Sequence, residues 1–294
     1  MAPSADLSSP GGTGALGGRA VARIGYGTMQ LERLHADARA AEAVVRHAVE
    51  HGVNHFDTAQ FYGDGFANGV LRATTPDDVV IATKVGADAD PDGPVPLRPA
   101  QRPEELRASV EDNLRSLDRE RIDLVYLRRL DAGPGLRATG DQEVPLDDQL
   151  ATMSALREEG KIAAIGISGT TLDVVRRALP IGIAAVQNAY NLLSRDDEEL
   201  LRLCEDEGIA WVPFFPLGSA FPQSPKVTDR SDVQHIATQL GATAAQVGLA
   251  WLLQHARGSL LVPGTISIAH LDENLAAGTL TLPEEAVSVL DAIG

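Results

Sequence analysis

The sequence contains one cysteine, Cys204, among its 294 residues. A single thiol excludes an intrachain disulfide and fits a reducing compartment. No apolar run approaches the ~18–20 residues needed to cross a bilayer. The opening residues, MAPSADLSSPGG, lack the basic start and the apolar centre of a secretory signal peptide. We therefore expect a cytoplasmic protein without a membrane partner.

Basic residues are also scarce. The chain has 25 Lys and Arg residues against 41 Asp and Glu residues, which gives a formal net charge of −16. Nucleic acids and anionic membranes require a basic surface, so we expect neither as a partner. The only lysines are Lys84, Lys161 and Lys226, and Lys84 directly follows an apolar segment. A buried ammonium needs a counter-ion, so Lys84 indicates a polar site.

Apolar segments alternate with amphipathic ones along the whole chain. The predicted strands span 24–27, 53–57, 79–83, 122–127, 162–167, 184–187, 209–214 and 260–262. The predicted helices span 38–50, 65–72, 102–117, 146–159, 172–179, 196–207, 242–253 and 268–276, with a further helix from about Pro283. Uniformly apolar strands are typical of parallel strands covered on both faces.

Eight such units predict a single α/β domain, a (β/α)8 TIM barrel with an N-terminal β-hairpin and an extra C-terminal helix. The domain would span residues 1–294, with residues 1–12 as a flexible tail. A doubly wound open sheet is the alternative, but it requires a glycine-rich phosphate loop after its first strand. Gly12, Gly14 and Gly17 form a G-x-G-x-x-G pattern that lies outside that strand-to-helix context. A hairpin turn at Gly17–Gly18 is the better interpretation.

Polar residues stand where three predicted strands end. Asp57, Lys84 and Arg128 hold these positions, and Tyr62 lies in the loop after Asp57. Taken alone, such an Asp is often a helix cap, and such a Lys is often solvated. A barrel, however, brings the carboxyl ends of all its strands to one mouth.

The four residue types suggest a proton-transfer site. A free phenol has a pKa near ~10, and a neighbouring ammonium lowers that pKa. Tyr62 could then donate a proton to a carbonyl oxygen, while Asp57 holds Lys84 in place.

The remaining histidines and large aromatic residues have simpler interpretations. His51 and His55 are four residues apart, but Gly52 breaks any helix between them, so we expect no metal site there. His55 shares a strand face with Asp57 and is predicted to lie inside the barrel, with a catalytic role as the alternative. Trp211 and Trp251 are predicted core residues.

The motifs GVNHFDTAQFYGDG, ATKVG, IDLVYL, IGISG, VQNAYN, PFFPLGS and VPGT…HLDEN follow one another in the chain. In order and spacing they resemble the aldo-keto reductases, from about Val21 to Leu290. The resemblance implies a barrel that binds NADP(H) across its C-terminal mouth and reduces aldehydes or ketones to alcohols. It places Asp57, Tyr62 and Lys84 on catalytic positions, with Tyr62 as the general acid.

The resemblance also implies a set of cofactor-binding residues. The nicotinamide end would contact Gly27, Thr28, Met29 and Asp57 at the ribose, Ser168 and Gln187 at the carboxamide, and Phe214 at the ring face. The pyrophosphate would lie beside the loop of Pro216, Leu217, Gly218 and Ser219. The adenosine end would contact Pro263, Gly264, Thr265, Ser267, His270, Glu273 and Asn274.

Three positions depart from the family pattern. Arg128 stands where the family usually has a catalytic histidine; arginine polarises a carbonyl but relays no proton. Gly264 and His270 stand where many members place a lysine and an arginine against the 2′-phosphate of NADPH, so NAD(H) is the alternative cofactor. Gly169 replaces a common asparagine.

These departures resemble a bacterial branch related to pyridoxal reductase. Pyridoxal, or another aromatic or small aldehyde, is therefore the expected substrate of a monomer or weak homo-oligomer. The alternative is a dinucleotide-binding regulatory or redox-sensing barrel with little turnover. Alcohol oxidation would use the same site.

Overall fold

The computed structural model describes residues 9–93, 96–131, 135–218 and 225–293. The strands are β1 (Thr13–Leu16), β2 (Arg19–Ala22), β3 (Tyr26–Gly27), β4 (His55–Asp57), β5 (Val80–Val85), β6 (Ala87–Ala89), β7 (Leu97–Pro99), β8 (Ile122–Arg128), β9 (Ile162–Ser168), β10 (Ala185–Gln187) and β11 (Ala210–Trp211). The α-helices are α1 (Ala38–Glu50), α2 (Phe66–Thr74), α3 (Pro103–Leu117), α4 (Leu146–Glu158), α5 (Leu172–Ala178), α6 (Glu198–Asp206), α7 (Ser231–Leu240), α8 (Ala244–His255), α9 (Ile268–Ala276) and α10 (Glu284–Asp291).

A seven-stranded sheet in the order β3-β4-β5-β8-β9-β10-β11 forms the centre, and every pairing in it is parallel. Residues 259–261 close it, because Ser259 bridges Trp211 and Leu261 bridges Ile24, both in parallel. Leu260 N donates to Trp211 O at 2.8 Å, and Gly25 N donates to Leu261 O at 2.8 Å. The sheet is therefore a closed eight-segment barrel; the barrel prediction is confirmed, and the open-sheet alternative is wrong.

The predicted hairpin is confirmed. β1 pairs with β2 through a turn at Gly17–Gly18, whose φ angles of 59° and 81° favour glycine. The G-x-G-x-x-G pattern therefore belongs to a hairpin. Residues 9–12 form a turn rather than part of a tail, since Gly12 N donates to Ser9 O at 2.9 Å and Ile24 N to Pro10 O at 3.0 Å. Residues 1–8 of the predicted tail lie outside the described ranges.

Local sequence signals begin several helices. Asp37 Oδ1 accepts a hydrogen bond from Ala40 N at 3.1 Å ahead of α1. Before α8, Thr243 Oγ1 accepts from Gln246 N at 3.2 Å, and Gln246 Oε1 accepts from Thr243 N at 2.9 Å. These reciprocal bonds satisfy backbone donors that a helix start leaves unpaired. Capping thus helps to set where α1 and α8 begin.

The core has two parts, as a barrel requires. One lies between strands and helices and includes Trp211 and Trp251, both 0% exposed, which confirms their predicted place. The other lies inside the barrel and is formed by Val80, Ala82, Leu124, Tyr126, Ala164, Ala185, Ala210, Val212, Leu260 and Val262 together with the hairpin residues Leu16 and Val21.

Two elements differ from the predictions. The β6–β7 hairpin and α7 both occupy stretches that were expected to be loop or were unassigned. Each is short, and α7 buries only Val233, Ile236 and Ala237, which is too few residues for a clear helical period.

Within the described ranges, no helix alone has the length and apolarity to span a bilayer. Only α7 and α8 taken together are long and apolar enough, and the chain bends by 93° between them.

Candidate active site

Asp57 and Lys84 form a buried ion pair at the barrel mouth. β4 ends at Asp57, whose backbone is in register with Ala82 of β5, so Lys84 extends two residues beyond it. Lys84 Nζ lies 2.5 Å from Asp57 Oδ1, and the side chains are 8% and 9% exposed. Burial lowers the pKa of Lys84, but Asp57 and Tyr62 together outweigh burial, and the pKa of Lys84 is raised. Lys84 is therefore a fixed ammonium, and its predicted contact with Asp57 is confirmed.

Gln187 completes the surroundings of Asp57. Its Nε2 donates to Asp57 Oδ2 at 2.8 Å from the end of β10, while Lys84 Nζ also donates to Thr58 O at 3.0 Å. The family resemblance assigned Gln187 to the cofactor and gave no sign of this contact. No local pattern could have revealed it, because the two residues are 130 positions apart.

Tyr62 packs against this pair. It lies in the turn after β4, where Tyr62 N donates to Ala59 O at 3.0 Å, and Lys84 Nζ lies 5.1 Å from the centre of its ring. Burial raises the pKa of Tyr62 and outweighs the opposing effects of Lys84 and Arg128. The expectation of a lowered pKa is wrong in its net direction, because the low-dielectric surroundings penalise the phenolate. The phenol therefore keeps its proton at neutral pH.

Arg128 brings a second cation to the same place. It ends β8 in register with Ser168 of β9, and its Cζ lies 5.8 Å from the ring centre of Phe61. Among the described residues, no carboxylate lies within salt-bridge distance of its guanidinium. Burial lowers the pKa of Arg128, and the nearby Tyr62 partly opposes this. Arginine nevertheless stays charged, so Arg128 places a second cation beside Tyr62.

A buried amide network supports the loop that carries these residues. Asn68 is 0% exposed and accepts from Thr58 Oγ1 at 2.8 Å. Its Nδ2 donates to Asn113 Oδ1 at 3.0 Å, and Asn113 Oδ1 also accepts from Thr83 Oγ1 at 2.7 Å. The network thus ties residues beside Asp57 and Lys84 to helices α2 and α3. It was not predicted, since single Asn residues on helices carry no distinctive pattern.

The turn at residues 262–264 packs directly on Gly27. A Cβ at Gly27 would lie 2.5 Å from Val262 O, and a Cβ at Gly264 would lie 2.6 Å from Gly27 O. Neither position accommodates a side chain unless the backbone moves. A lysine at position 264 would therefore clash with the Gly27 carbonyl in this backbone. Beside it, Thr28 N donates to Asp57 O at 2.9 Å, and Met29 begins the 3₁₀ helix Met29–Leu34.

The predicted pyrophosphate loop follows β11. Phe214 N donates to Asn188 O at 2.9 Å, and the rings of Phe214 and Phe215 lie edge to face at 5.0 Å. Gly218 has a φ of 96°, and a Cβ there would lie 2.5 Å from Pro225 O, so the loop requires glycine. Pro216 and Leu217 are half-buried in this segment, and Ser219 lies outside the described residues.

The residues predicted for the adenosine end gather at the start of α9. Ser267 caps the helix, and Thr265 Oγ1 accepts from Ser267 N at 3.1 Å. His270 is exposed, while Asn274 is buried. Pro263 is buried beside Gly264, and Glu273 is half-buried. This group is held near Gly27 through the 262–264 turn and makes no side-chain hydrogen bond to Asp57 or Lys84.

The barrel interior below Asp57 contains His55 and Tyr126. Both are at most 1% exposed, which confirms the predicted interior position of His55. Within the part of the chain that the structure describes, neither ring nitrogen of His55 nor the Tyr126 hydroxyl has a hydrogen-bond partner. Burial lowers the pKa of His55 to about 4 and raises the pKa of Tyr126 well above its ordinary value. Both groups are therefore neutral at pH 7.

A cavity of about 670 Å³ opens beside the reactive residues rather than over them. Its lining includes Gln101, Arg129, Asp131 and Arg177, and none of Asp57, Tyr62, Lys84 or Arg128. Arg129 is already bound there, since its Nη1 donates to Gln149 Oε1 at 2.6 Å. The candidate catalytic residues at the barrel mouth therefore lie outside the lining of this cavity.

Comparison with known proteins gives this arrangement a family. The sequence profile of the Aldo/keto reductase family matches residues 23–294. The chain belongs to the aldo/keto reductase family. It is 42% identical to pyridoxine 4-dehydrogenase of Escherichia coli strain K12 over 96% of this chain and 98% of that protein. It is also 32% identical to an uncharacterized oxidoreductase of Schizosaccharomyces pombe over 100% of this chain and 93% of that one.

Solved structures agree with this assignment. An aldo/keto reductase from Klebsiella pneumoniae in complex with NADP and acetate superposes with a TM-score of 0.79 at 28% identity, over 96% of this chain and 94% of that one. A Klebsiella pneumoniae aldo-keto reductase in complex with NADPH gives 0.79 at 29% identity over the same shares. This aldo/keto reductase is therefore an NAD(P)H-dependent oxidoreductase that uses NADP(H).

The residues at the mouth fit such a cofactor. Among the described residues, Gln187 Oε1 is buried without a partner and can accept from the amide of a nicotinamide. The donor set therefore agrees with a nicotinamide dinucleotide.

Proposed function

We propose that this aldo/keto reductase reduces pyridoxal or a similar aromatic aldehyde with NADPH, with Tyr62 as the proton donor. The observation that carries the proposal is a protonated phenol packed against the Lys84–Asp57 pair and next to Arg128. When bound, the reduced nicotinamide supplies a hydride to the carbonyl carbon. The aldehyde oxygen then gains a proton, and the product is the primary alcohol.

Tyr62 supplies that proton in the proposal. As the π bond of the carbonyl group breaks, negative charge grows on the oxygen, and the phenol O–H transfers its proton there. Lys84 stabilises the phenolate that remains, and Asp57 keeps the ammonium fixed. A permanent Lys84–Asp57 pair is consistent with this, since the ammonium needs no rearrangement during the step.

Arg128 orients and polarises the carbonyl group in this proposal. Its guanidinium has no carboxylate partner among the described residues, so its donors are free for the substrate oxygen. A cation at this position stabilises the developing oxyanion and needs no proton relay.

The substrate class rests on two observations. Phe61 and Tyr62 pack edge to face at 5.2 Å beside Arg128, so a flat ring can stack close to the proton donor. The Escherichia coli relative is described as a pyridoxine 4-dehydrogenase, and the reverse of that oxidation is reduction of pyridoxal. NADPH is proposed over NADH because both Klebsiella structures hold the phosphorylated cofactor.

The test measures NADPH consumption with pyridoxal for the parent and for Tyr62→Phe. We expect kcat to fall by about 10²–10⁴, the usual contribution of a positioned general acid, with NADPH binding retained. Tyr190→Phe is the matched control, because that buried phenol binds Glu198 Oε2 at 2.5 Å in the core. Equal rates for the parent and Tyr62→Phe would overturn the role of Tyr62.

The alternative, a regulatory dinucleotide-binding barrel, is favoured only by Arg128, which replaces a residue able to exchange protons. It predicts tight NADPH binding without turnover of pyridoxal or of any other aromatic or aliphatic aldehyde. The same assay separates the two functions.

A further inference from the structure

Three possible metal ligands lie together on the outside of the barrel, away from the reductase site. His47 lies on α1, His51 directly follows that helix, and Asp272 lies on α9. One ligand atom from each residue falls within 4.8 Å of those of the other two. The two histidines are half-buried, and Asp272 is exposed, so an ion can reach the group from solvent.

The two histidines are spaced as a helical chelate. Residues four positions apart share one helix face, and the rings stack at 3.9 Å between centres. His51 Nδ1 lies 2.7 Å from His47 O. A carbonyl oxygen only accepts, so Nδ1 carries the hydrogen and the Nε2 lone pair of neutral His51 is free. Such a bond to the other ring nitrogen is the usual second-shell support of a metal-bound histidine.

Asp272 supplies the charge that the histidines lack. Its Oδ1 lies 2.6 Å from His47 Nε2, although it belongs to another helix. Without a metal, this contact is a partly exposed hydrogen bond, which contributes little to stability. Two imidazoles and a carboxylate, by contrast, form a common ligand set for zinc.

We propose that His47, His51 and Asp272 bind a divalent transition metal of the Zn²⁺ class, and that the ion joins α1 to α9. Water would take the fourth position of the tetrahedron. Ligands of a tetrahedral zinc lie about 3.3 Å apart, given bonds of about 2.0–2.1 Å. The side chains therefore close inward on binding, and the exposed Asp272 has the freedom to rotate.

The site has a structural consequence for α9. That helix also carries His270 and Asn274 and is capped by Ser267, the side chains proposed for the adenosine end of the cofactor. A metal between Asp272 and α1 would fasten α9 to its neighbour from the outside. The metal site itself does not depend on the proposed reductase function.

The test is calorimetric titration of the EDTA-treated full chain with ZnCl₂. We expect one ion per chain and a melting temperature raised by roughly a few degrees at saturation. Loss of an outer-shell partner typically weakens metal binding by about 10- to 100-fold. Asp272→Asn and His51→Gln each remove a direct ligand, so each should weaken Zn²⁺ binding by at least that much. His235→Gln on α7 is the matched control, because it removes an exposed histidine elsewhere.

A second probe guards against variants that unfold. Co²⁺ titrated into the parent should show the visible absorption of tetrahedral coordination, which Zn²⁺ then displaces. Absence of saturable Zn²⁺ binding to the parent would overturn the proposal. Equal affinity in the parent and Asp272→Asn, or equal weakening by His235→Gln, would overturn it too.

Discussion

Folding stability should depend on pH through His55. The ring is 1% exposed, and a Cβ at Gly25 would lie only 2.3 Å from His55 Nε2, so the imidazole fills the interior against backbone. Neither nitrogen of His55 has a hydrogen-bond partner among the described residues. Burial lowers the pKa of His55 to about 4, from 6.5 for an exposed imidazole. Protonation therefore opposes folding.

The sign and size follow from linkage. Between the two pKa values the unfolded chain binds the proton and the folded chain does not, so stability falls as pH falls. At about 1.36 kcal/mol per pH unit, complete titration corresponds to about 3 kcal/mol. By pH 5 about 2 kcal/mol of this should already be lost relative to pH 7.5.

The assay is urea unfolding of the parent and His55→Leu from pH 7.5 to pH 5. Leucine is close to histidine in volume and does not titrate, so any constant packing cost cancels when slopes are compared. The parent should lose about 2 kcal/mol more than the variant across this range. His235→Gln, at an exposed position, should keep the parent slope. Parallel curves for the parent and His55→Leu would refute the reasoning.

Three further variants test other parts of the structure. Asn68→Leu should lower the free energy of unfolding by about 2–4 kcal/mol in urea, because it removes the acceptor of the buried Thr58 hydroxyl and a donor to Asn113 Oδ1. A loss below about 0.5 kcal/mol would contradict the network. Arg128→Met should lower kcat/KM for pyridoxal by about 10²–10³, with Arg128→Lys losing less; no change would exclude a role on the substrate oxygen. His270→Arg should tighten NADPH binding relative to NADH binding by roughly tenfold in fluorescence titrations, since arginine can bind the 2′-phosphate bidentately. An unchanged ratio of the two dissociation constants would place that phosphate elsewhere.

The barrel was predictable because its signal is repeated. Uniformly apolar strands alternate with amphipathic helices, and no single boundary error disturbs the count of eight units. The short β6–β7 hairpin and α7 escaped prediction because a few apolar residues define no clear period. Residues 259–261 join their neighbours only through isolated parallel bridges within the described ranges, yet the apolar segment around Leu261 was recognisable.

The strand-end residues Asp57, Lys84 and Arg128 were predictable for a similar reason. All strands of a closed parallel barrel end at the same mouth, so residues at the carboxyl ends of different strands lie close together. The motif order that resembles the aldo-keto reductases agreed with Tyr62 as the expected acid and added the expected cofactor path, and both remain predictions.

Local pattern and repetition thus account for the barrel, its hairpin and the identity of the residues at the mouth. The hydrogen bond from Gln187 to Asp57, the net direction of the Tyr62 pKa and the absence of room at Gly264 emerged only from the folded structure. Each depends on how distant segments pack, because burial and contact distance are properties of the assembled chain. The sequence alone shows that Lys84 and Asp57 can carry opposite charges. The low dielectric that strengthens their attraction comes from the closed barrel around them.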